Sequence, residues 1–353
     1  MPVAAPASLR AIAADVESRL DQFLACERDR WTGFDDDLTA AIDEIRRLVV
    51  SGGKRLRPAF CHWAFVGAGG AAGDPRVVDA GAALELMHGF ALFHDDVMDG
   101  AVSRRGTPTT HARYEAEHSA RGWAGEARRF GEGVAILVGD LAFVYADQLL
   151  RDASRVAWDI WNELRIELNV GQLLDILGSV RRVRDVAAAE RISRYKSGKY
   201  TIERPLHLGA ALAAPDRIDE LLPALSAFGL PLGDAFQLRD DVMGAFGDEA
   251  VTGKPVGGDL REGKPTPLLA RAVAAASPAQ RSTLDRVGAA DLDDRDVAAI
   301  QQVIVDTGAL DELEARIAAL TGEALHALEG VELTDEARAE LADLARYVSW
   351  RQT

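Results

Sequence analysis

The sequence predicts an all-α protein, and three observations carry that expectation. Apolar residues make up 48% of the chain and aromatics only 6%. Alanine and leucine supply most of the apolar share, a composition suited to helical cores rather than β-sandwiches. Apolar positions recur at helical spacing along most of the chain. The run Val134 to Val138 could pass for a strand, but it has no partner elsewhere in the sequence.

The elements follow in order. Met1 to Leu9 is Pro/Ala-rich, lacks the charged start and apolar run of a signal peptide, and is expected to be disordered. Leu38, Ala41, Ile42, Ile45, Leu48 and Val49 mark one face of a helix that follows Asp35-Asp36-Asp37 and stops at Ser51-Gly52-Gly53. Pro58 suits the first turn of the next helix. From Val77 the pattern is almost wholly apolar until Asp95, as in a buried central helix with its polar chemistry at the C-terminal end. Further helices are expected over 134–152, 155–180, 186–213, 217–246, 264–276, 293–305, 309–328 and 334–349, with Pro205 kinking the third. Segments 115–132 and 247–266, rich in glycine and charge, read as mobile loops over a site. With neither linker nor repeat, residues 1–353 read as one domain.

A net charge of −16 repels nucleic acid and anionic membrane surfaces, so neither is an expected partner. An anionic substrate would need a local basic cluster and bound cations. No uninterrupted apolar run reaches the length of a membrane span, and no stable membrane insertion is expected. Two isolated cysteines, Cys26 and Cys61, suggest reduced thiols and a cytoplasmic location.

Two acidic clusters stand out against this apolar background. On a helix, Asp95 and Asp99 lie one turn apart with Asp96 beside them. Grouped carboxylates repel one another, and a hard divalent cation sharing substrate phosphate oxygens relieves that repulsion. A solvated acidic patch would explain one such cluster equally well. Asp95, however, follows Phe90-Ala91-Leu92-Phe93, and a second pair, Asp240-Asp241, follows Phe236-Gln237-Leu238. Two clusters on core helices can face each other across a bundle. Lys54 and Arg57 flank a Gly-rich turn entering a helix, a setting that favours phosphate. Arg104-Arg105 follows the first cluster closely, and Lys254 and Lys264 follow the second.

Taken in order, GGKRLRP (52–58), LMHGFALFHDDVMDGAVSRRG (86–106), VGDLAF (138–143), RYKSGKYT (194–201) and FQLRDDVMGAFGD (236–248) resemble the trans-type polyprenyl diphosphate synthases. The resemblance covers roughly residues 50–266. It implies a single large bundle of about a dozen helices around a central apolar cavity, the isoprenoid synthase-like fold. It also implies the condensation of isopentenyl diphosphate with an allylic prenyl diphosphate, Mg2+ as cofactor with three ions once substrate is bound, and a homodimer. Asp95, Asp96 and Asp99 would bind metal and the allylic diphosphate, and Asp240 and Asp241 a further ion. Lys54, Arg57, His88 and Arg105 would hold isopentenyl diphosphate. Arg104, Lys196, Gln237, Lys254 and Lys264 would complete the allylic side. Lys199 stands close enough to Lys196 to compete for its role. The second motif departs from the family form, because Gly244 stands where a third aspartate is usual; Asp248 could compensate.

Met87, Phe90 and Ala91 precede Asp95 on the same side of the helix and form the expected chain-length gauge. One aromatic beside a small residue is similar to geranylgeranyl diphosphate synthases; ordinary core packing explains it nearly as well. Farnesyl or longer products remain open, as does a class I terpene cyclase. His88 and His94-Asp95 superficially suggest an HD-type metal phosphohydrolase, which leaves GGKRLRP and the second acidic pair unexplained. The missing third aspartate also admits a non-catalytic partner subunit.

Overall fold

Leu9, Ile12, Val16, Leu20, Phe23 and Leu24 recur at helical spacing and are all buried, which fixes the inner face of α1 (Ala7–Thr32). The computed structural model describes residues 4–34, 36–104, 106–247 and 257–351. The expected disorder of 1–9 therefore fails from Ala7 onward: Leu9 is the first member of an apolar stripe that the surrounding Pro/Ala composition obscured. After α1 come α2 (Asp36–Val50), α3 (Leu56–Gly67) and α4 (Pro75–Met98). Asp74 caps α4 by accepting from the Arg76 backbone N–H, and Pro75 takes the first helical position. Ala80, Ala82, Ala83, Leu84, Leu86 and Met87 are fully buried, so α4 is enclosed on nearly every side, as its unbroken apolar run requires.

A two-residue antiparallel hairpin, β1 (Ser103–Arg104) with β2 (Thr107–Pro108), interrupts the helices after the first acidic cluster. It is followed by α5 (Thr110–Arg121), α6 (Ala127–Leu149) and α7 (Arg155–Val180). The segment 115–132 is thus mostly helical and is no mobile loop. Gly122, at φ 64°, ends α5 in the left-handed conformation. Gly131 lies where the helices cross, since a Cβ there would come within 2.2 Å of the His111 carbonyl oxygen. Its glycines serve helix ending and helix contact, and Trp123 stacks edge-on against Phe130 at 5.4 Å.

The expected helix 186–213 is three segments: α8 (Val186–Ser193), a π-helix (Arg194–Glu203) and α9 (Arg204–Ala213). Pro205 sits in the first turn of α9, where its missing N–H leaves no regular ladder to continue from the preceding turn. The widened π segment presses against glycines on both sides. A Cβ on Gly171 of α7 would lie 2.4 Å from the Lys196 backbone nitrogen. One on Gly233 would lie 2.8 Å from the Gly198 oxygen.

Next is α10 (Ile218–Phe246), then α11 (Gly258–Glu262), α12 (Pro267–Ala275), α13 (Pro278–Leu284), α14 (Asp294–Asp306), α15 (Ala309–Glu329) and α16 (Asp335–Trp350). Among the described residues, Pro215–Phe246 is the one helical stretch long and apolar enough, by length and composition, to cross a membrane. It is not an uninterrupted apolar run, since Asp234 and Gln237 lie within it, and Pro223 and Pro231 do not break the helix. It packs as a core helix, with Arg239 and Asp241 buried in it. Its N-terminal part joins the main core with α1 to α4, α6, α7, α9, the end of α15 and α16, and its C-terminal part joins a second apolar cluster with α11 to α15. Both acidic clusters thereby end on helices held by packing.

Candidate active site

A cavity of about 750 Å³ opens between the C-terminal ends of α4 and α10, walled further by α2, α7, α8 and the π-helix. Lys54, Arg57, His88, Asp95, Arg104, Lys196, Gln237, Asp240, Asp241 and Lys264 all line it. Residues from five separate sequence segments therefore converge on one space. Arg105 and Lys254 lie outside the described residues, as does Asp248.

The basic turn divides its labour. Arg55 adopts a left-handed backbone (φ 48°) and its side chain turns inward. There it ion-pairs with buried Glu85, donates to the Val49 carbonyl at 2.6 Å and reaches Glu17 at 2.9 Å. That buried pair anchors the turn to α1, α2 and α4, leaving Lys54 and Arg57 along the cavity. The Arg57 guanidinium lies 4.2 Å from the centre of the Tyr200 ring and donates to Thr201 Oγ1 at 3.2 Å. The Tyr200 hydroxyl in turn meets His88 Nδ1 at 2.6 Å. A stacked, hydrogen-bonded guanidinium is fixed before any anion arrives.

In the first cluster the three aspartates have different surroundings. Asp95 faces the cavity, accepts from Gln172 Nε2 at 2.9 Å and lies 3.3 Å from Lys196 Nζ. Burial opposes its ionisation, yet Lys196, Lys264 and Arg104 together hold its carboxyl below the usual range. Asp96 is buried, pairs with Arg104 at 2.7 Å and does not line the cavity. Lost hydration pushes its carboxyl up, partly offset by Arg104. Asp99 caps the end of α4, and lost hydration with the Asp95 charge pushes it up to about 6.

Lys196 donates to Asp175 at 2.5 Å as well as approaching Asp95. Lys199 instead pairs with Glu167, which also receives Arg204 at 2.6 Å, and so belongs to the packing of α7 against the π-helix. Of the two lysines on the π turn, Lys196 lines the cavity and Lys199 does not.

In the second cluster, Gln237 donates to Asp241 Oδ1 at 3.1 Å. Asp240 pairs with Arg351 from the end of α16, and that guanidinium stacks 4.3 Å from the Phe236 ring centre. Asp241 is buried, and its Oδ2 has no hydrogen-bond partner among the described residues. Burial, then Asp259 and Asp240, push its carboxyl well above the ordinary value despite the Gln237 bond. An orphaned buried carboxylate oxygen in a basic cavity suits a divalent cation. No three acidic, histidine or cysteine side chains among the described residues converge enough to hold an ion by themselves. That pattern fits an ion completed by substrate oxygens, as hard divalent cations commonly are with diphosphates.

Gln172, Asp175, Tyr200, Asp259 and Arg351 escaped the sequence reading. Asp175 carried the same signal as Asp95, a carboxylate inside an apolar helical run (Leu173-Leu174-Asp175-Ile176-Leu177). Arg351, more than a hundred residues from Asp240, carried none. The chain-length trio is not brought to the wall: Met87, Phe90 and Ala91 do not line the cavity, whose apolar lining includes Leu48, Val49, Leu56, Leu92, Ile192 and Phe236. The Phe90 ring is buried against Phe143 at 4.8 Å and His94 at 4.6 Å. His94 is a packing and hydrogen-bonding residue, 3.0 Å from the Ile136 carbonyl.

A helical bundle with two acidic clusters and a basic lining across one cavity defines a trans-prenyltransferase, and the chain belongs to the polyprenyl synthetase family, whose pattern matches residues 39–305. Polyprenyl diphosphate synthase activity follows from that membership. The chain is 34% identical over 306 residues to a geranylfarnesyl diphosphate synthase of Aeropyrum pernix, covering 84% of this chain and 89% of that one. It is 33% identical over 312 residues to a (2E,6E)-farnesyl diphosphate synthase of Mycobacterium tuberculosis, covering 85% and 80%. Its fold is similar to the crystal structure of geranylgeranyl pyrophosphate synthase from Corynebacterium glutamicum complexed with isoprenyl diphosphate and magnesium. There the TM-score is 0.90 and the identity 40%, over 96% of this chain and 98% of that one. The three names carry three product lengths.

Proposed function

We propose that this chain condenses isopentenyl diphosphate with an allylic diphosphate to make geranylgeranyl diphosphate, with Mg2+ as cofactor and three ions in the substrate-bound state. The single observation that carries the reading is the cavity in which Lys54, Arg57 and His88 face Asp95, Lys196 and Asp241. Magnesium would neutralise charge on the departing diphosphate, held by Asp95 and Asp99 from one side and Asp240 and Asp241 from the other. Lys196 and Arg104 already sit beside Asp95 and would stabilise the same developing charge, and fixed charges of this kind supply much of the acceleration in many enzymes. Lys54, Arg57 and His88 would hold isopentenyl diphosphate so that its double bond lies against the allylic carbon. Proton loss completes the step, with the departing diphosphate as base. No side-chain base is required.

The product assignment is supported by the single aromatic Phe90 beside small Ala91, one turn before Asp95, with the Phe90 ring packed 4.8 Å from that of Phe143. A homodimer is supported by exposed apolar residues on neighbouring helices, Leu137 and Val144 of α6 with Ile166, Val170 and Leu173 of α7, a stripe that a second copy could cover. The unpaired cysteines support a cytoplasmic location. The test is incubation with isopentenyl diphosphate, Mg2+ and each of dimethylallyl, geranyl and farnesyl diphosphate, followed by product-length analysis. Twenty-carbon product is expected; absence of elongation and of diphosphate release under every pairing sinks the reading. Light scattering at micromolar concentration should give twice the chain mass, and a monomer mass refutes the dimer.

A further inference from the structure

The second acidic cluster is one carboxylate short in sequence, and the structure supplies another from elsewhere. A Cβ built on Gly244 would lie 1.9 Å from Asp259 Oδ2 and 2.5 Å from its Cγ. No side chain fits at 244 while Asp259 stays where it is. The Asp259 carboxylate thus occupies the place where a side chain on α10, one turn beyond Asp240 and Asp241, would begin.

The surroundings of Asp259 are those of a functional group. It lines the cavity together with Gln237, Asp240, Asp241 and Lys264. Lys264 Nζ lies 3.5 Å from its Oδ1 and 2.6 Å from Glu262, and the Lys264 backbone N–H donates to the Asp259 carbonyl at 3.1 Å. Among the described residues, these contacts hold the carboxylate through Oδ1. Beside it, Asp241 is only 3% exposed and its Oδ2 is unpartnered among the described residues, an oxygen that calls for a cation.

We propose that Asp259 serves as the third carboxylate of the second cation site, and that Gly244 is required because it leaves room for it. The inference rests on reading the cavity as a diphosphate–cation site. It moves the compensating role from Asp248 to a residue fifteen positions beyond the gap. It also makes positions 244 and 259 interdependent: a carboxylate can come from either, but not from both.

Electron paramagnetic resonance of free Mn2+, titrated in the presence of inorganic pyrophosphate, tests this on the full chain without requiring prenyl transfer. Asp259→Asn and Gly244→Ala should each cost one bound Mn2+ per chain, or weaken one by about 10–100-fold, the range typical for lost groups around a bound metal. The double variant Gly244→Asp/Asp259→Gly should restore the parent's binding. Thermal unfolding by circular dichroism checks that each variant is folded. Should a single variant misfold, the double variant decides: recovered binding supports the proposal and failure to recover overturns it. Unchanged Mn2+ binding in Asp259→Asn, alongside loss in Asp241→Asn, also overturns it and leaves Asp259 as a partner of Lys264 alone. A parent that binds Mn2+ and pyrophosphate but elongates no allylic substrate refutes the synthase reading while leaving this one standing.

Discussion

Removing Glu85 should destabilise the protein through the charge it leaves behind. The Arg55 and Glu85 side chains are only 3% and 4% exposed, so water cannot replace the lost partner. Breaking a buried pair from one side typically costs about 3–5 kcal/mol, mostly because the remaining charge is stranded. Glu17 still reaches Arg55 at 2.9 Å and is partly exposed, and the Val49 carbonyl still accepts from it. Glu85→Ala should therefore fall near the low end, about 3 kcal/mol. Replacing both partners with apolar residues, Arg55→Met/Glu85→Leu, should recover most of that loss, since the desolvation cost disappears with the charges. Urea unfolding monitored by circular dichroism measures both. Substrate titration adds a functional reading: a loosened turn should raise the KM for isopentenyl diphosphate, because Lys54 and Arg57 flank Arg55. A Glu85→Ala loss below about 1 kcal/mol, or a double variant no better than the single one, would show that the pair does not anchor the turn.

Three further outcomes follow from the site. Asp95→Ala should abolish turnover while the far-ultraviolet spectrum stays that of the parent; near-normal activity removes Asp95 from the metal-binding role. Asp99 titrates near 6 in the folded, metal-free chain, above its ordinary 3.8. The folded state therefore favours its protonated form, and this group's contribution to metal-free stability is present below about pH 4 and lost as pH rises through 6. A cation must displace that proton, so half-saturating Mg2+ should rise about tenfold per pH unit below 6, and a flat profile between pH 5 and 7 refutes the assignment. Phe90→Ala should lengthen the products by opening the space against Phe143; an unchanged product spectrum makes Phe90 core packing alone.

Much of this was legible from local pattern. Helical spacing and the apolar run before Asp95 gave α4, and the ordered motifs gave the family and most of the cavity wall. Local pattern failed where one residue type serves two settings. Glycine in 115–132 suggested a loop, but Gly122 ends a helix and Gly131 admits a helix crossing. Arg55, between Lys54 and Arg57, carried no sequence signal of its inward role, which its left-handed backbone sets by turning it toward Glu85.

What the sequence by itself determined is the helical class, the family and the chemistry, because periodicity and short motifs are properties of neighbouring residues. Tertiary structure alone decided which charge goes where. The π turn points Lys196 rather than Lys199 at Asp95, α16 brings Arg351 onto Asp240, and the approach of α11 puts the Asp259 carboxylate against Gly244. These are contacts between segments distant in sequence, and their strength depends on angstroms of packing and loss of water, neither of which is encoded in any single stretch of chain.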